Sequence, residues 1–217
     1  ASGFSNGTGI RGGRFECGNA TASNIALTGS VQYVMQHFTF QLSAYYGGSA
    51  GLTKREADSL QLNSGMFGTP VGLGEVNVQY RKDRLTAKVL FAAITIPEAD
   101  KINRAYANNT AKLSIGGYAE VAYRILKKLK TDAFIRYENF DLNSSIPKNG
   151  IKNEILKQQY IIAGFSCFHT PGVVVKLDYV YKQTGDLNPA LNLNPFPNAP
   201  AYYTTNSFLN LGLGYSF

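Results

Sequence analysis

The most constraining feature of this chain is an alternation of apolar and polar side chains at a period of two, repeated in segment after segment. It is cleanest at the end, where Leu209, Leu211, Leu213, Tyr215 and Phe217 alternate with Asn210, Gly212, Gly214 and Ser216. Such a period marks an extended strand whose two faces differ. Earlier segments repeat it. Ile25, Leu27, Val31, Tyr33 and Met35 share a face over about 24–35, and Phe38, Phe40, Leu42 and Ala44 follow directly. Val76, Val78 and Tyr80 precede Leu85, Ala87, Val89, Phe91 and Ala93. Strands are likewise predicted over 112–126 and 132–141, up to Cys167, and from Val173 to Tyr181. The expected fold class is all-β, with about nine antiparallel strands.

The connections fall into two kinds that alternate. Short turns are predicted at 36–37, 82–83, 127–131 and 169–172, and long polar segments at 47–73, 97–111, 142–154 and 185–205. Transmembrane barrels have this arrangement, with short turns on one rim and long loops on the other. A compact soluble domain seldom carries several long structureless loops. The longest apolar run, Val89 to Ile96, is far short of the roughly 18 residues a membrane helix needs. A closed barrel is the other fold that can cross a bilayer, because closure satisfies every backbone group without water. Only 16% of residues are charged, and mean hydropathy is slightly negative; barrels of this kind escape hydropathy plots. A soluble ligand-binding barrel is the competing reading of the terminal strand taken alone.

Residues 1–23 are rich in Gly, Ser and Asn without a steady period, and are expected to be an external loop or the top of an upstream strand. Residues 24–217 are expected to form the C-terminal part of a transmembrane β-barrel. The terminal strand runs toward the short-turn rim, so counting back nine strands starts the first on the long-loop rim. Bacterial single-chain barrels have even strand numbers, so at least one further strand is expected upstream of Ala1.

If the apolar sets face lipid, the opposite parity faces water. It holds Glu75 and the candidate pore-lining residues Arg81, Arg84, Lys88, Glu120, Arg124, Arg136, Glu138, Lys176, Asp178 and Lys182. A Lys or Arg at the lipid midplane costs about 2–4 kcal/mol, which accounts for the segregation by itself. Arg124 and Arg136 are expected near each other across the 127–131 hairpin, with Glu120 and Glu138 further along. Two readings remain open: a wall of mutually paired charges, or a basic excess that eases the passage of anions. The formal charge of +7 is open to nucleic acid, an anionic surface or an anion-conducting lumen, depending on where the charges sit. Tyr80, Tyr123, Tyr215 and Phe217 fall near one rim and Tyr46, Tyr137, Tyr179 and Tyr181 nearer the other, as candidate aromatic girdles. The ordinary strand preference of Tyr and Phe is the alternative. One strand breaks parity, with Leu90, Ala92, Ile94 and Ile96 on the water face. Either a loop folds inward onto them or a bulge shifts the register.

Catalytic chemistry finds little footing. His37 and His169 both fall in predicted turns, and two isolated histidines with two separated cysteines do not make a metal site. Cys17 and Cys167 are expected at opposite rims, too far apart for a disulfide. Basic residues alternate with acids and do not gather into a nucleic-acid patch.

The terminal strand closing on Phe217 resembles the last strand of Gram-negative outer-membrane β-barrel proteins. Several further segments together resemble porins of the phosphate-selective porin O/P type. They are Gly116-Gly117-Tyr118-Ala119-Glu120-Val121-Ala122-Tyr123, Phe134-Ile135-Arg136-Tyr137-Glu138, Pro171-Gly172-Val173-Val174-Val175-Lys176-Leu177-Asp178-Tyr179 and Asn210-Leu211-Gly212-Leu213-Gly214-Tyr215. The resemblance covers residues 110–217 well and the rest weakly. It implies part of a sixteen- to eighteen-stranded, often homotrimeric channel in the bacterial outer membrane, in contact with lipid and lipopolysaccharide. It further implies passive diffusion of small hydrophilic solutes with a mild preference for anions such as phosphate, without cofactor or catalysis. The basic ladder of such channels is not recognisable as a motif, so no anion-binding residue is carried over. A non-conducting barrel, serving as anchor or scaffold in a larger assembly, is the alternative.

Overall fold

The computed structural model describes residues 24–48, 54–63, 65–106, 109–170, 172–188 and 202–215. Residues 1–23 with Cys17, and the terminal Phe217, lie outside them. Nine strands, β1 (Ala26–Met35), β2 (Phe38–Gly48), β3 (Pro70–Lys82), β4 (Leu85–Thr95), β5 (Leu113–Leu126), β6 (Thr131–Ser145), β7 (Lys157–Thr170), β8 (Val173–Thr184) and β9 (Thr205–Tyr215), form one antiparallel sheet in chain order. The all-β expectation holds. Among the described residues the sheet is not closed into a barrel, and β1 and β9 are its edges.

Connections at the two ends differ as expected. The turns after β1, β3, β5 and β7 make one rim, the turn rim, and the longer connections after β2, β4, β6 and β8 the other, the loop rim. Gln36 and Asp83, the first residues of the two-residue turns, have φ of 44° and 51°. That left-handed start suits the primed turns that match strand twist. β7 pairs with β8 through Thr170, so His169 belongs to the strand and not to the predicted turn.

The alternation gives the sheet two unlike faces, and the apolar side chains are the more exposed ones. On β8, Leu177 and Tyr179 are 46% and 49% exposed, while Asp178 and Val180, which alternate with them, are 5% and 2% exposed. Leu211 opposite Leu177 reaches 80%. The register carries this parity across the sheet: Val78 faces Val89, Val121 faces Ile135, and Val175 faces Leu213. The apolar face is therefore the outward one. On the other face, a single pocket of about 530 Å³ draws side chains from all of β3 to β8. Strands sit about 4.8 Å apart, so the sheet must curl around its polar face for them to converge.

Two of the expected loops are structured. Helix α1 (Lys54–Ser59) lies between β2 and β3, and α2 (Ala99–Tyr106) between β4 and β5. α1 ends in a Schellman motif: Leu62 N donates to Ala57 O at 2.8 Å, Gln61 N to Asp58 O at 3.1 Å, and Gln61 has φ of 54°. The reversal drops Leu62 into a small core with Ala57, Val71, Ile96, Ala99 and Ile102, against which Tyr45 and Ile94 pack. β3–β4 and β4–β5 run without a bulge. The parity break at Ile94 and Ile96 is thus explained by chain folding inward onto the polar face, not by a register shift. Asn103 locks the connection, its side chain accepting from Thr110 N at 2.6 Å and donating to Thr110 O at 3.2 Å.

Candidate functional site

The polar face is built on the β5–β6 hairpin. A register shift between Arg124 and Leu126 shortens the turn to 127–130 and places Arg124 opposite Asp132 and Arg136 opposite Glu120. The expected closeness of Arg124 and Arg136 is thereby corrected: each basic residue faces an acid. Arg124 forks onto Asp132, with Nε on Oδ1 and Nη2 on Oδ2 at 3.1 Å. Glu120 takes Arg136 Nη2 at 2.6 Å and Lys88 Nζ at 3.4 Å. Arg136 also reaches Glu138 Oε1 at 2.9 Å, and its guanidinium lies 4.6 Å from the centre of the Tyr118 ring. The row Lys88, Glu120, Arg136, Glu138 alternates in sign and cancels.

Further along, Lys176 pairs with Asp178 at 3.3 Å and covers the Phe134 ring at 4.7 Å. Asn210 donates to Asp178 Oδ2 at 3.1 Å. This crowding has a local cause in Gly164, which faces Asp178: a Cβ there would sit 2.2 Å from Leu177 O. Lys182 lies over Tyr160 at 5.6 Å.

The pocket near the turn rim gathers Arg81, Arg84, Lys88, Glu120, Arg124 and Lys176 from the expected set. Asp83, Asp132, Phe134 and Phe168 also line it and were missed by sequence reasoning. Asp132 shares the parity of Arg136, the signal that could have found it; a five-residue turn hid its partner. Arg81 and Arg84 make no ion pair among the described residues; Asp83 between them, also without one, offsets one of the two charges, and the balance in the pocket stays positive.

Arg136 and Glu138 border a second cavity of about 350 Å³ nearer the loop rim, whose walls are otherwise mainly apolar: Leu90, Ala92, Ile94, Ile115, Phe140 and Leu142. Asp178 and Lys182 share the polar face but line neither cavity. The polar face thus has a charged region at the turn rim and, over β4 to β6, a mainly apolar one toward the loop rim.

The aromatic residues fall in rows on the apolar face. Tyr80, Tyr123 and Tyr215 pair with Ala87, Leu85 and Val173 beside the turns. Tyr137 and Tyr181 flank Ile161 in one row toward the loops, and Tyr179 lies one row below. Beyond that row come Asn139, Gln159 and Gln183, then Asp141 and Lys157, so the apolar band has an upper limit. Cys167 is a free thiol whose Sγ lies 3.5 Å from Leu129 O. No protein-family model matches the chain, and no curated protein matches it in sequence.

Proposed function

We propose that these strands are part of an outer-membrane β-barrel channel, with the apolar face toward lipid and the polar face lining a water-filled passage for small hydrophilic solutes. One observation carries the reading: a continuous, charge-free apolar surface spans the middle of nine strands, opposite a face of ion pairs. Exposed apolar patches of this extent mark membrane or protein contacts. The two rows of Tyr suit headgroup level on either side of the band.

The open edges support a larger barrel. β1 and β9 carry neither charge nor proline to discourage further pairing. Both run from the loop rim to the turn rim, so joining them directly would be a parallel contact. Closing the sheet in antiparallel fashion takes an odd number of additional strands, in keeping with the sixteen to eighteen that the porin resemblance implies. Homotrimer formation and contact with lipopolysaccharide belong to the same reading. The unpaired Arg81 and Arg84 give the passage a mild anion preference, phosphate included.

A second reading, a non-conducting anchor or scaffold, draws on the α1–α2 cluster packed on the polar face at the loop rim. Reconstitution of the purified protein into planar lipid bilayers separates the two. Stepwise conductance with anions favoured over cations supports the channel, and a silent bilayer with correctly inserted protein supports the scaffold. Protein that stays monodisperse without detergent would defeat both.

A further inference from the structure

We propose that the apolar cavity in the loop half of the polar face is a binding site for an uncharged aromatic molecule of one or two fused rings bearing one hydrogen-bond donor. The inference deepens the channel reading by naming a solute class, and its transport role rests on that reading.

Size comes first. At about 350 Å³ the cavity falls within the range of small-molecule sites. It is an open groove on the sheet face, and a groove of that volume can seat a one- or two-ring aromatic system against its wall. The wall chemistry selects the ligand's body. Leu90, Ala92 and Ile94 on β4 and Phe140 and Leu142 on β6 turn apolar groups toward a face that elsewhere carries ion pairs, and Tyr118 on β5 lies opposite Leu90. Of these, Ile94 packs against the α1–α2 cluster. Gly116 completes the wall with bare backbone: a Cβ there would meet Phe140 Cβ at 2.7 Å, so glycine lets the β5 and β6 walls approach.

The rim selects charge. Arg136 is held by Glu120 and Glu138, and Lys88 adds to the same row. The two charges in the lining, Arg136 and Glu138, are paired with each other, so the wall itself offers a charged solute no unmatched partner and the complement is neutral. Glu138 uses Oε1 for Arg136, and Oε2 makes no bond among the described residues. A ligand N–H or O–H directed at that oxygen gains a charge-assisted hydrogen bond.

The test is 19F NMR of 5-fluoroindole titrated into the intact protein in lipid nanodiscs, with planar-bilayer conductance recorded on the same preparations. A saturable bound line is expected for the native protein. Ala92→Phe, which fills the cavity, and Leu90→Gln, which makes its wall polar, should each weaken it at least tenfold. Leu211→Ala on the lipid side should leave it unchanged. Unlabelled indole should displace the probe at least tenfold better than benzoate. No saturable line in the native protein, an unchanged line in both cavity variants, or equal displacement by benzoate would overturn the site. Conductance keeps the two readings apart: binding with a silent bilayer supports the cavity while the channel fails, and conductance without binding sinks the cavity alone.

Discussion

Leu211 on β9 stands directly across the ladder from Leu177 on β8, and both point away from the ion pairs. If that side meets lipid, a cation there is penalised by about 2–4 kcal/mol at the midplane. Leu211→Arg is therefore expected to lower stability in urea titrations from lipid vesicles by about that amount. Gly212→Ser, one residue along, should be neutral, because its Cβ would come no closer than 3.8 Å to Lys176. Improved detergent-free solubility of Leu211→Arg, with no loss of stability, would show that water and not lipid meets this face.

Glu120 holds two cations, and its removal frees Lys88 and leaves Arg136 to Glu138 alone. Glu120→Gln should raise the anion over cation permeability ratio in bilayers, since Lys88 and Arg136 lose their shared counter-charge. Charged hydrogen bonds of this kind contribute about 1.5–3 kcal/mol, so the variant should also be less stable by an amount toward the lower end. An unaltered reversal potential under a salt gradient would remove these residues from the conducting wall.

Arg81 and Arg84 should matter more for selectivity than Arg124, although parity alone ranks all three together. Arg124 is neutralised by Asp132, whereas the other two make no ion pair among the described residues. Arg81→Ser with Arg84→Ser is expected to reduce anion preference clearly, and Arg124→Ser with Asp132→Ser to leave it nearly unchanged. The reverse order would contradict the assignment of the free charge.

These cases show what was legible in the chain. Strand identity and facing could be read because both follow from a local period of two, which the Leu209–Tyr215 alternation shows without any knowledge of neighbours. Which charge meets which could not, because it depends on the register beyond the turn: past the irregularity at Arg124/Leu126, Arg124 meets Asp132 and Arg136 meets Glu120, and the two arginines are not the neighbours expected. The helices were hidden for a different reason. α1 and α2 are short, and their stability comes from apolar contact with Ile94 and Ile96 rather than from local preference. The parity break in β4 was the visible trace of that packing. The cavity beside Phe140 depends on side chains from three strands, and no single segment announces it.

The α1–α2 cluster hangs on few contacts, so it should open without the sheet. Ile102 is 1% exposed at its centre. Ile102→Ala removes a buried side chain at a cost of about 2–5 kcal/mol, most of it falling on the cluster. Hydrogen exchange over 99–106 should accelerate strongly while β5 to β8 keep their protection. Single-channel conductance should rise if the cluster narrows the passage. Uniform loss of protection across the sheet would instead make the cluster part of the global folding unit.

The same cluster should respond to alkali through Tyr106. Burial holds its hydroxyl above the usual phenol value of 10.0, and the charge of Glu56 on α1 adds to the effect. The fold thus favours the neutral phenol. Its contribution is complete below pH 10 and is lost as pH rises through the elevated value, when a phenolate forms beside Glu56. Glu56→Gln should bring the Tyr106 titration closer to 10, and Tyr106→Phe should abolish the alkaline loosening of the cluster. Hydrogen exchange over 99–106 at matched intrinsic rates, together with difference absorbance at 295 nm between native and Tyr106→Phe protein, checks both. A Tyr106 titration at or below the ordinary phenol value would mean that α2 is not seated on the polar face in solution.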